Sequence, residues 1–84
     1  MSVLKIFVLT GCRGCNEALA LADWLRQQAP QLMVEVVDLA VDPEASRGTV
    51  FAVPTYVYNN RQIFIGNPSK EELDNWIGKL NLEV

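Results

Sequence analysis

Cys12-Arg13-Gly14-Cys15 is the constellation in this chain whose residue types and spacing carry chemistry. The chain has two cysteines and both lie in this motif. Two thiols three residues apart can pass between dithiol and disulfide. As a structural staple the pair would be poor, because so small a loop removes little entropy from the unfolded chain. The spacing therefore points to redox chemistry or to soft-metal binding. There is no histidine. That excludes Ser-His-Asp and Cys-His nucleophile pairs, His-ligated zinc and imidazole base catalysis.

The elements around the motif set its reactivity. Val3 to Leu9 (VLKIFVL) is almost continuously apolar and β-branched and reads as a buried central strand. Thr10 and Gly11 end it. A helix is predicted from Cys12 to Gln28, since Cys15, Ala18, Ala22, Leu25 and Ala29 recur at steps of three and four. Leu19, Leu21 and Trp24 widen that apolar stripe, and Pro30 stops the helix. Cys12 thus sits where a strand hands over to a helix N-terminus. The unpaired amides there favour an anion, so the Cys12 thiol should ionise below the free value of about 8.5. Cys15, a turn further in on the apolar face, should hold its proton. Residues i and i+3 of a helix lie roughly 5 Å apart at Cα, within the reach of a disulfide. Cys12 can then attack a disulfide and Cys15 can resolve the mixed intermediate.

Leu32 to Asp38 (LMVEVVD) reads as a second strand, which completes a βαβ unit and makes the two strands parallel. Asp42 and Pro43 resemble the start of a short helix that should not pass Gly48. Thr55 to Asn59 and Arg61 to Ile65 form a predicted hairpin around Asn59-Asn60. Gly66 turns the chain. Asn67-Pro68-Ser69 opens the last helix, with Ser69 and Glu72 at capping-box spacing and Leu73, Trp76, Ile77 and Leu80 on its buried face. Trp24 and Trp76 are read as core cover, Tyr56, Tyr58 and Phe64 as sheet-face packing, and Phe51 as core. The expected architecture is α/β, in the order β-α-β-α-β-β-α, with a four-stranded mixed sheet and helices on both faces.

Eighty-four residues are enough for a single domain, 1–84, and a chain with 50% hydrophobic and 20% charged residues is globular rather than disordered. A net charge of −3 argues against a nucleic-acid module. The longest apolar runs, such as Ile6 to Leu9 and Ala18 to Ala22, fall far short of the roughly 20 residues a membrane helix needs. No targeting segment is visible at Met1 to Lys5, so a cytoplasmic setting is expected.

The CxxC after the first strand, then Val53-Pro54-Thr55, then a hairpin ending at Gly66, together resemble the thioredoxin/glutaredoxin superfamily along essentially the whole chain. At this size the chain looks like a minimal thioredoxin or a glutaredoxin. The resemblance implies that Pro54 is a cis proline packed against the cysteine pair and that Val53 pairs with an extended substrate. It implies Cys12 as nucleophile and Cys15 as resolving thiol. Arg13, Gly14, Val53, Pro54, Thr55 and Gly66 would form the substrate-binding surface. Arg13 adds a positive charge beside Cys12, and Gly14 allows close approach.

Two family features differ here. Ile6 stands where thioredoxins bury an acidic residue. Leu9 stands where glutaredoxins carry a lysine, and Asn67-Pro68-Ser69 replaces their second glycine and aspartate. The expected function is a dithiol-disulfide oxidoreductase acting on protein disulfides, with no resident metal or cofactor. Its partners would be disulfide-containing proteins and a thiol reductant, either a reductase or glutathione, and the chain is expected to be a monomer. A glutathione-dependent glutaredoxin is the alternative. A soft-metal or iron–sulfur carrier would use the same CxxC. Copper-chaperone domains need a last strand, for which Asn81 to Val84 is too short, and a four-ligand cluster needs more thiolates than this chain has.

Overall fold

The computed structural model describes residues 3–45, 50 and 52–80. Its elements are β1 (Val3–Val8), α1 (Cys15–Gln28), β2 (Met33–Asp38), β3 (Thr55–Tyr58), β4 (Arg61–Ile65) and α2 (Lys70–Leu80). The strands form one mixed sheet in the order β2-β1-β3-β4. β1 is central. It runs parallel to β2, from Val3 opposite Met33 to Val8 opposite Asp38, and antiparallel to β3, from Leu4 opposite Tyr58 to Phe7 opposite Thr55. The parallel pair follows from the helical crossover between them.

Alternation along β1 sorts the two faces of the sheet. Leu4, Ile6 and Val8 join Tyr56, the α1 residues Cys15, Ala18, Leu21, Ala22 and Leu25, and Leu73 of α2 in one core. Trp76 of α2 meets Tyr58 edge-to-face on that same side, with ring centroids 5.2 Å apart. Both described helices therefore pack on one face. Phe7 and Thr55, paired across β1 and β3, are buried on the other. The short helix expected there falls on residues 42–48. Over its described part the chain makes a turn, with the Ala45 N–H donating to the Asp42 carbonyl at 3.1 Å. Residues 46–48 lie outside the described residues, as does Phe51.

The first helix begins three residues later than its apolar pattern suggests. Cys12, Arg13 and Gly14 are a turn ahead of α1, and Gly14 is its N-cap. Gly11 takes φ +87°, a left-handed conformation that glycine adopts without strain, and this bends the chain sharply after β1. The Cys12 N–H then closes onto the Leu9 carbonyl at 3.0 Å. Leu19 departs from the expected stripe as well: it is 44% exposed, on the flank of α1 beside the cysteines.

Local signals govern the C-terminal half. Asn59 and Asn60 take φ 51° and 67°, the pair of positive values a tight hairpin turn requires. Ser69 and Glu72 cap α2 reciprocally: the Glu72 N–H donates to Ser69 Oγ at 3.0 Å and the Ser69 N–H to Glu72 Oε1 at 2.9 Å. Ser69→Ala should cost about 1 kcal/mol, read as a lower urea midpoint with an unchanged slope. Leu73→Ala, which empties a fully buried site, should cost about 2–5 kcal/mol in the same experiment.

Candidate active site

Cys12 and Cys15 form a disulfide, with Cα atoms 5.4 Å apart. The spacing arises although Cys12 lies outside the helix. The Cys15 N–H donates back to the Cys12 carbonyl at 3.3 Å, so the two residues close a single turn leading into α1. The two sulfurs differ in environment. Cys15 is the first helical residue, 6% exposed, and is part of the core. Its Sγ accepts the Leu9 N–H at 3.4 Å. Cys12 is half-buried and packs against the edge of that core. Arg13 projects into solvent.

A second segment meets the motif from the other side. The Val53–Pro54 bond is cis. Pro54 is buried, and its Cδ lies 3.5 Å from where a Cβ on Gly14 would be. The Gly66 N–H, at φ +86°, donates to the Pro54 carbonyl at 2.8 Å. Val53 and Gly66 are half-buried at the rim. Thr55 is 1% exposed, and its hydroxyl donates to the Ala52 carbonyl at 2.6 Å. The fold thus packs Pro54 against Gly14 of the motif and ties Gly66 to Pro54, whereas the Thr55 side chain braces the loop from within.

Asn67 fastens these pieces. Its Nδ2 donates to the Gly14 carbonyl at 2.8 Å, and its Oδ1 accepts the Tyr56 hydroxyl at 3.0 Å. Burial, with a smaller contribution from the Glu17 charge, pushes the Tyr56 hydroxyl well above the usual tyrosine range. It therefore remains a donor at neutral pH.

On the far flank of the cysteines lies a groove of about 600 Å³, lined in part by Leu9, Cys12, Cys15, Leu19, Val36 and Asp38. Asp38, at the end of β2, accepts the Thr10 hydroxyl at 2.5 Å and the Ala40 N–H at 2.9 Å. These bonds, the Thr10 hydroxyl foremost, hold its carboxyl below the usual aspartate value. They tie the end of β1 to the end of β2 and so fix the loop that delivers Cys12. Among the described residues no three side chains of the metal-binding kinds come together, and no helix is long and apolar enough to cross a membrane.

The chain has the thioredoxin fold. A structure described as that of a malarial protein matches at a TM-score of 0.80 with 20% identity, over 94% of this chain and 96% of that one. Thioredoxin-2 of the malaria parasite, described as a component of its protein secretion machinery, matches at 0.81 with 20% identity, over 94% and 82%. Fasciola hepatica thioredoxin matches at 0.74 with 20% identity, over 93% and 79%. No family model and no curated protein sequence matches the chain.

The sequence patterns did not single out Asn67, Tyr56, Asp38 or Leu19 as site residues. Asn67 read as a helix start and Tyr56 as sheet packing, because a contact between residues 53 apart leaves no local pattern. For Asp38 the signal was a carboxylate at a strand end facing Thr10 at another. Its lowered pKa means that its contribution to stability is full above the unfolded value near 3.8 and is lost as pH falls through the lower folded value. Thr10→Val should move the Asp38 carboxyl titration upward, followed by NMR, and bring the acid loss of stability to higher pH.

Proposed function

We propose that this protein is a dithiol-disulfide oxidoreductase that reduces protein disulfides through Cys12. The observation that carries the reading is the Cys12–Cys15 disulfide at the β1–α1 junction of a thioredoxin fold, with Pro54 packed beside Gly14. In the reduced protein, the Cys12 thiolate attacks one sulfur of a substrate disulfide. The S–S bond breaks, and the departing substrate sulfur leaves as a thiolate that takes up a proton. Cys15 then loses its proton and attacks Cys12 Sγ. The second substrate thiol departs and the internal disulfide forms. An external thiol reductant restores the dithiol. Positively polarised amides at the α1 N-terminus stabilise the Cys12 thiolate, and the exposed Arg13 adds charge on the same side.

Val53, Pro54 and Gly66 supply a rim along which an extended substrate segment can pair by strand addition. The groove beside Leu9 and Leu19 gives room for an apolar side chain next to the substrate cysteine. Glutathione is a weaker candidate. Leu9 provides no charge for its carboxylate, and the Asn67-Pro68-Ser69 stretch provides no acidic partner for its amine. Each lost charged hydrogen bond is worth about 1.5–3 kcal/mol.

Iodoacetamide at mildly acidic pH should label Cys12 of the reduced protein first, as read by peptide mapping. Preferential labelling of Cys15 would reverse the assignment. With dithiothreitol as reductant the protein should reduce insulin, and Cys15→Ser should trap protein partners as mixed disulfides. It should turn over a small glutathione mixed disulfide poorly. Efficient glutathione-dependent turnover with little insulin reduction would make it a glutaredoxin instead.

A further inference from the structure

We infer that Asn67 is a positioning residue for Cys12: its amide grips the Gly14 carbonyl, fixes the turn that presents the nucleophile, and disfavours a side chain at position 14. The inference rests on Cys12 being the nucleophile.

Three observations converge on it. First, the Gly14 carbonyl accepts two donors, the Ala18 N–H at 3.1 Å and Asn67 Nδ2 at 2.8 Å. The first is an ordinary helical bond, and the second comes from a different part of the fold. Second, that carbonyl belongs to the same peptide unit as the Cys15 N–H, which points back onto Cys12. A donor on the oxygen of a peptide polarises its N–H, because linked hydrogen bonds reinforce one another. The Asn67 contact therefore strengthens the bond from the Cys15 N–H to the Cys12 carbonyl and tightens the turn that holds Cys12 at the positive end of α1. Third, a Cβ on residue 14 would lie 3.1 Å from Asn67 Nδ2 and 3.5 Å from Pro54 Cδ. A side chain at residue 14 would press on the Asn67 amide and push it off the Gly14 carbonyl by a few tenths of an ångström.

Tyr56 determines which end of the amide faces the motif. Its hydroxyl donates to Oδ1, which leaves the donor end, Nδ2, for Gly14. Tyr56 is fully buried and paired with Ile6 in the sheet. The reactive turn is thereby referenced to the central strands through a single side chain.

The test is the pH profile of Cys12 alkylation in the reduced full-length protein, with thermal stability measured on the same samples. Asn67→Ala should move the Cys12 profile to higher pH by roughly half a unit or more, about a threefold loss of thiolate below the pKa. Its disulfide should become harder to reduce by dithiothreitol, in the same sense. Tyr56→Phe, which deletes only the hydroxyl that orients the amide, should shift the profile the same way by less. Gly14→Ala should shift it in the native background but add little to Asn67→Ala, since both act on one contact.

Unshifted profiles in folded Asn67→Ala and Tyr56→Phe, even with lowered thermal stability, would overturn the inference and leave Asn67 a purely structural residue. If Asn67→Ala does not fold, Tyr56→Phe and Gly14→Ala decide the matter by the same profiles. Alkylation of Cys15 before Cys12 in the unaltered protein would overturn the reading of the nucleophile and this inference with it. An unshifted Asn67→Ala profile with Cys12 still labelled first would overturn this inference alone.

Discussion

The reactive end of this molecule depends on the burial of the first turn of α1 against the sheet. Cys15 packs in the same core as Ile6, Val8, Tyr56 and Leu73, drawn from three separate parts of the chain. That packing fixes one sulfur firmly and leaves its partner at the margin. The asymmetry between the thiols is a direct result. A helix whose apolar face began one turn later would leave both cysteines in solvent and make them equivalent.

Polar contacts then adjust what packing has placed. Among the described residues no buried side-chain nitrogen or oxygen lacks a partner. Around the motif each pairing also joins two elements. The Thr10–Asp38 contact ties the ends of β1 and β2, and Gly66 ties β4 to the Pro54 loop. The Lys70 ammonium of α2 lies 5.6 Å from the centre of the Trp24 ring of α1, a cation–π contact between the two helices at the margin of the core that Leu73 enters. For so short a chain, whose core is small, such cross-links contribute to order where apolar area is limited.

Much of the fold was legible because its signals are local. The apolar run of β1, the three-and-four spacing of α1, the Asn59-Asn60 turn and the Ser69/Glu72 cap each need only a few neighbouring residues to act. The cysteine pair was legible for the same reason. Other features rest on tertiary geometry. The start of α1 shifted because Gly11 and Gly14 build a turn that an apolar count cannot register. Leu19 fits a helical stripe by spacing, yet its flank of α1 faces the groove by the cysteines. The roles of Tyr56 and Asn67 come from contacts between distant segments, and a polar side chain in a turn says nothing of its partner until the turn is placed.

The sheet of described strands ends in β2 on one side and β4 on the other, and an unpaired strand edge is a template for adding another chain. Both edges carry a device against this. On β4 the ladder slips between the partners of Tyr56 and Val57, so that Phe64 and Gln62 are paired while Ile63 bulges out of register. On β2, Glu35 places an exposed charge in the middle of the strand. A flat, uncharged edge beside the exposed Met33 and Ile65 would favour end-to-end stacking into aggregates. The bulge and the charge both work against such edge-to-edge pairing.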